Sequence, residues 1–192
     1  MTGNKTKNNL GGYSIIETLV AMSIFITVST VAIGAFLDAT EAQRIVVFEQ
    51  TISENVNFAM EFMSRQMRTA IQSNDADCLA LGDTFGSSGP GIVKFMNTDG
   101  QCIEFRVQTG KLLYTSDATV PPGSREYIEL ISSGLVQLDD FDIEISGHTA
   151  SDTAQPRATL VLTVSGVPQS LSDPQDITLT IQTTVTTRII ES

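Results

Sequence analysis

The pattern of apolar and polar positions divides the chain into three stretches. Between Glu17 and Asp38 lie about twenty residues without a charge. At 1.5 Å per residue, a helix through them is roughly as long as a bilayer core is thick, about 30 Å. Proline is absent, and Ser23, Thr27, Ser29 and Thr30 are scattered among the apolar residues. Hydroxyls of this kind bond back to helix carbonyls, and small residues let helices approach closely. From Ala39 the pattern turns amphipathic. Ile45, Phe48, Ile52, Val56, Met60, Met63, Met67 and Ile71 recur at steps of three and four, separated by residues such as Glu49, Glu54, Glu61, Arg65 and Arg68. This apolar stripe predicts a helix continuing to Ile71 and ending near Gln72, with a packing face for a sheet. Arg65 and Arg68 suit the negative end of the helix dipole, and Glu61 with Arg65 makes an i,i+4 pair.

A loop with Gly82, Gly86, Gly89, Pro90 and Gly91 follows, and then the period shortens to two. Residues 92–96, 102–107 and 111–114 read as a three-stranded meander, joined by turns at Asp99-Gly100 and Thr109-Gly110. Pro121-Pro122-Gly123 interrupts it. Further strands are expected over 127–131, 136–145, 157–165 and 176–188. In the last, Ile177, Leu179, Ile181 and Val185 share one face and Thr178, Thr180, Gln182, Thr184 and Thr186 the other, which meets water. Pro168 and Pro174 fall in the connection before it. A long N-terminal helix followed by a mostly antiparallel sheet is α+β in class. The expected organisation is a leader at 1–12, a membrane half of the helix at 13–38, an amphipathic half at 39–72 and a β-rich exterior domain at 73–192.

Charge gives this layout a direction. Lys5 and Lys7 precede the apolar run, and Asp38 and Glu41 follow it. The positive-inside bias therefore places the leader in the cytoplasm and the bulk of the chain outside. The formal net charge is -11, and loss of the two leader lysines leaves 9 basic against 22 acidic side chains. Such a surface repels phosphates, which excludes direct nucleic-acid binding as an expectation. It also offers no polybasic patch for anionic lipid, so the membrane contact is the single apolar helix.

Glu17 stands at the lip of the apolar run, where a carboxylate is costly and a mere anchor has no use for it. Gly11-Gly12 lies just upstream. Gly12 followed by Tyr13-Ser14-Ile15-Ile16-Glu17-Thr18-Leu19 resembles the processing motif of type IV prepilins and type II secretion pseudopilins. The resemblance implies that a membrane-embedded prepilin peptidase cuts between Gly12 and Tyr13 and methylates the new amine of Tyr13. The fifth residue of the mature chain is glutamate in that family, and here it is Glu17. The first mature residue is usually phenylalanine there, and here it is Tyr13. Many members carry a proline near the depth of Gly34, where glycine can still loosen the helix. The segment from Phe58 to Arg65 and the strand-rich tail are similar to minor pilins and pseudopilins of the PilW-like kind. The expected architecture is accordingly pilin-like.

Cleavage after Gly12 creates an α-amine with an ordinary pKa near 7.7–8.0. If subunits stack with a small axial shift, the amine of one meets Glu17 of its neighbour, and that pairing sets the register between them. Two simpler alternatives are a plain signal anchor and a secretory signal cleaved near Ala35 or Ala39. Both leave the spacing of Gly12 and Glu17 unexplained.

Elsewhere, chemistry is sparse. Cys78 and Cys102 both fall in the exterior part. An even count in an oxidising compartment suggests a disulfide closing a loop of about 25 residues, and two separate buried thiols are the alternative. No metal site is expected, since the chain has one histidine, His148, and no Cys-x-x-Cys. Asp139, Asp140, Asp142 and Glu144 could hold a calcium ion, but a solvated strand face explains the run equally well. No phosphate loop, nucleophile elbow or other catalytic motif is present, so neither a cofactor nor an enzymatic activity is expected. The expected function is a structural subunit, of the minor kind, of a type IV pilus or pseudopilus, with other pilin or pseudopilin subunits as partners. A monomeric membrane-anchored binding or sensing domain is the alternative.

Overall fold

A computed structural model describes residues 12–131, 136–149, 151, 154–166 and 176–187. The leader up to Gly11 with its two lysines, the connection carrying Pro168 and Pro174, and the expected strand end at Arg188 lie outside the described residues. The chain divides into two compact units, Met1–Arg44 and Ile45–Ser192. Helix α1 covers Ile15–Arg68 and contributes to both.

In the first unit the apolar run is helical and open to its surroundings. Tyr13, Ile15, Ile16, Phe25, Val31 and Phe36 are among the exposed large apolar side chains. The hydroxyls inside the run turn inward on the helix itself. Thr18 donates to Ile15 O at 2.8 Å, Ser23 to Val20 O at 2.9 Å, Thr27 to Ile24 O at 2.8 Å and Thr30 to Ile26 O at 2.8 Å. Their polar hydrogens are thus spent on backbone carbonyls, and the outer surface of the helix stays apolar.

In the second unit α1 buries Phe48, Ile52, Val56, Met60, Met63 and Met67 of the expected stripe, together with Ala59, and leaves Ile45 half-buried. The helix stops at Arg68, short of the expected Gln72. Ala70–Ile71 forms strand β1, paired with Asn97 and Met96 of β2. Ile71 therefore does not extend the helical stripe and is exposed. The backbone hydrogen bonds offered by β2 outcompete one more helical turn there.

The strands make two antiparallel sheets where one was expected. The first has order β1-β2-β3-β4-β5, with β2 at Ile92–Asn97, β3 at Cys102–Gln108, β4 at Lys111–Thr115 and β5 at Ile128–Glu129. The second is β6-β7-β8, at Gln137–Ser146, Arg157–Gly166 and Ile177–Thr186. The break has a plain cause. β5 pairs with β4 over two residues only, too short to carry a further strand, while the three ten-residue strands satisfy one another. The β3–β4 turn is Thr109-Gly110 with φ of 51° and 70°. Both central residues are left-handed, as a two-residue hairpin turn of the twisted kind demands. The Gly110 carbonyl accepts from Leu138 N–H at 3.1 Å, which ties the turn to β6.

One apolar core joins these elements. It includes Met60 and Met63 of α1, Phe95 and Phe105 of the first sheet, and Leu160, Leu162 and Val164 of the second. Phe62 sets its ring edge-on to Phe105 and Tyr114, with centroids 6.2 and 5.2 Å away. Each aromatic pair of this geometry adds about 0.5–1.5 kcal/mol beyond the area it buries.

Candidate functional site

The residues singled out in the sequence fall at two places. Gly12 and Tyr13 precede α1 in open chain, and Tyr13 is 81% exposed. A Cβ placed on Gly12 meets no atom within 4 Å. Among the described residues no packing requires glycine at that position, and its φ is not in the left-handed region. Thr18 N–H donates to Ser14 O at 3.2 Å, so the helical hydrogen bonds begin immediately after Tyr13.

Glu17 lies in the first turn of α1 and is exposed. Among the described residues it has no ion-pair or hydrogen-bond partner in its own chain. Its one local source of stabilisation is the positive end of the helix dipole, worth about 0.3–1 kcal/mol at an exposed position. A carboxylate in the middle of a membrane helix costs about 2.5–3.5 kcal/mol on insertion scales. The dipole is the smaller of these two effects. Beyond Glu17, the most apolar 18 residues of α1 have a mean hydropathy of 2.2 and none is buried. α1 is long and apolar enough to cross a membrane.

At the second place, Cys78 and Cys102 are joined by a disulfide, with Cα atoms 5.7 Å apart. With Leu79, Met96 and Ala118 they form a small second core, distinct from the main one. The loop that carries Cys78 is thereby fixed to β3. Ala118 N–H donates to Cys102 O at 2.9 Å, so residues following β4 attach to the same strand.

Glu104, two residues along β3, was not singled out in the sequence. Its side chain is fully buried, and three cations converge on it. Arg125 Nη1 donates to Oε2 at 2.6 Å, and Tyr127 Oη donates to Oε1 at 3.1 Å. Lys94 Nζ lies 3.4 Å from Oε2 and Arg106 Nε 2.8 Å from Oε1. Arg106 Nε is off the line a hydrogen bond needs, and its guanidinium sits 5.5 Å above the Tyr127 ring. Arg125 also donates to Ala118 O at 2.6 Å and to Val120 O at 2.5 Å. Burial pulls the Arg125 pKa down, but Tyr127 and Glu104 outweigh it and hold the group above its ordinary value. The cluster is a clamp that fixes the 118–125 segment on β3. Alternation along β3 puts Glu104 and Arg106 on one face, and that is all the local sequence offers. What covers the face comes from about twenty residues downstream.

The other candidates remain apart. Asp140, Asp142 and Glu144 are exposed on β6, and His148 is half-buried with its carbonyl accepting from Thr84 N–H at 2.9 Å. Among the described residues, no group of three or more His, Cys, Asp or Glu side chains is placed to hold a metal ion.

No family model, curated protein or solved structure matches this chain.

Proposed function

We propose that this chain is a structural subunit, of the minor kind, of a type IV pilus or a pseudopilus. In this reading a prepilin peptidase removes residues 1–12 and methylates the Tyr13 amine. The precursor crosses the cytoplasmic membrane once, with its N-terminus in the cytoplasm and its β-rich domain outside, and then enters a filament. Its partners are other pilin or pseudopilin subunits. It carries no catalytic role and no cofactor.

The observation that carries the reading is Glu17, an acid without a partner among the described residues, at the start of an exposed apolar run of α1 and four residues past Tyr13. A lone anchor needs the apolar surface but not the acid. A subunit that stacks on its neighbours needs both, because the surface packs on other helices and the acid pairs with a neighbour's new amine. The inward-bonded hydroxyls of Thr18, Ser23, Thr27 and Thr30 suit that helix to a lipid or helix-lined setting.

N-terminal sequencing and intact mass of the protein from membranes test the processing step. The reading requires a chain that starts at Tyr13, heavier by one CH2 because a methyl replaces an amine hydrogen, and lighter by the two hydrogens of a disulfide. A chain starting at Met1, or beyond Leu37, contradicts it.

A further inference from the structure

The two edges of the second sheet are built differently. At one edge, β6 carries Asp139, Asp140, Asp142 and Glu144, all exposed, and its pairing with β7 slips by one residue between Leu138 and Asp140. Charge and a bulge are both devices that keep an edge strand from pairing with a foreign one. At the other edge, β8 has neither. Its ten residues contain no charge and no proline, and its register with β7 runs unbroken from Arg157↔Thr186 to Gly166↔Ile177. Among the described residues β8 pairs with β7 alone. Its core-side apolar residues, Ile177, Leu179 and Ile181, are left half-buried.

We propose that the outer edge of β8 adds, antiparallel, to β8 of a second copy of this chain, about a two-fold axis at Gln182. The two three-stranded sheets then become one continuous sheet. Self-complementarity favours a copy over an unrelated strand. Pairing about Gln182 sets Thr180 opposite Thr184 and Thr178 opposite Thr186 on the polar face, and Leu179 opposite Val185 on the other. The sheet already uses threonine pairs of this sort. Thr159 and Thr184 hydroxyls lie 3.1 Å apart across β7–β8, and those of Thr163 and Thr180 lie 3.0 Å apart. Gln182 lies at the middle of Ile177–Thr186, so an axis there overlaps the two strands over nearly their whole length. The acids of β6 lie two strands away, at about 10 Å, near the limit of screening at physiological salt. The inference stands independently of the filament reading.

Single cysteines test it in the purified full-length protein in detergent. The two native cysteines are bonded to each other, so an introduced thiol is the only free one. Gln182→Cys sits on the proposed axis and gives a disulfide-linked dimer on mild oxidation. Thr178→Cys alone gives none, because its counterpart in the other copy is eight residues away, roughly 27 Å. A mixture of Thr178→Cys and Thr186→Cys proteins gives the dimer again, and adding Gln182→Lys to both abolishes it by setting like charges face to face. Association through the N-terminal helices alone predicts no such position dependence. Equal crosslinking at residues 178 and 182, or none at any position, overturns the proposal.

Discussion

Arg125 and Glu104 are 21 residues apart in the chain, and 2.6 Å separates Nη1 from Oε2. The Arg125 side chain is 6% exposed and that of Glu104 is 0% exposed. This contact closes the outer face of the first sheet. The same guanidinium holds the carbonyls of Ala118 and Val120, so one side chain anchors a segment that has no strand pairing of its own.

Removing the anion should be costly. Glu104→Gln keeps the shape but leaves Arg125, Arg106 and Lys94 without a counter-charge in a dry site. Breaking a buried ion pair by taking away one partner costs about 3–5 kcal/mol. The shift in denaturant midpoint of the folded protein measures it. A loss under about 1 kcal/mol would mean that the cluster is as weak as an exposed salt bridge.

The disulfide should act locally. Cys78 and Cys102 are separated by 24 positions, and closing such a loop stabilises by about 3 kcal/mol through the unfolded chain. Reduction should lower the midpoint accordingly, while the membrane-bound fraction stays constant, because the apolar run of α1 lies in the other unit. Release of the chain from membranes on reduction contradicts this.

Alkali should weaken the fold through Tyr114. Burial raises its pKa above the ordinary 10.0, opposed by a hydrogen bond with Ser116. The folded phenol therefore keeps its proton to higher pH than the unfolded one. The associated stability is intact below about pH 10 and is lost as pH rises toward the folded value. Tyr114→Phe retains the ring packing on Phe62 and Phe105 and has nothing to ionise. Its denaturant midpoint should fall less between about pH 9 and about pH 11 than that of the parent. Identical alkaline limbs for the two proteins contradict the assignment.

Processing should depend on Gly12 through the peptidase alone. An added Cβ meets nothing within 4 Å among the described residues, so Gly12→Val should leave the described fold untouched. The branched side chain instead crowds the cleavage site, and uncleaved, membrane-bound precursor should accumulate. Cleavage at the parental rate, read by N-terminal sequencing, contradicts it.

What the sequence made legible was local. The stripe from Phe48 to Met67 announces its helix because a period of 3.6 persists over many turns. The alternation in β7 and β8 is equally clear. Ile71 fits the same helical period but belongs to a strand, because β2 supplies backbone partners that no local pattern reveals. The bulge at Asp139 is hidden too. Leu138 and Phe141 are both buried although three positions apart, which simple alternation forbids. Glu104 carries no local signal of burial, because the segment around Arg125 that covers it lies 21 residues away. The division into two sheets also depends on pairings between remote segments. Gly12, Tyr13 and Glu17 stand out by spacing alone, within six consecutive residues, and their role belongs to the proposed filament reading. The disulfide between Cys78 and Cys102 needs the fold, since the count of two leaves separate thiols open.

The central claim is that Glu17 exists to pair with a neighbouring subunit. Glu17→Gln keeps size and most hydrogen bonding and removes the charge. A neutral amide is cheaper in lipid than a carboxylate, so insertion and cleavage should be at least as good as in the parent. Assembly should fail, because the neighbour's Tyr13 amine loses its counter-ion. The measurement is the amount of mature Glu17→Gln protein in sheared filaments, or crosslinked to partner subunits, relative to its membrane pool. The account predicts a normal membrane pool with a severe loss from the filament fraction. Parental recovery in the filament fraction, or no filament fraction for the parent itself, contradicts it and leaves a monomeric anchored domain.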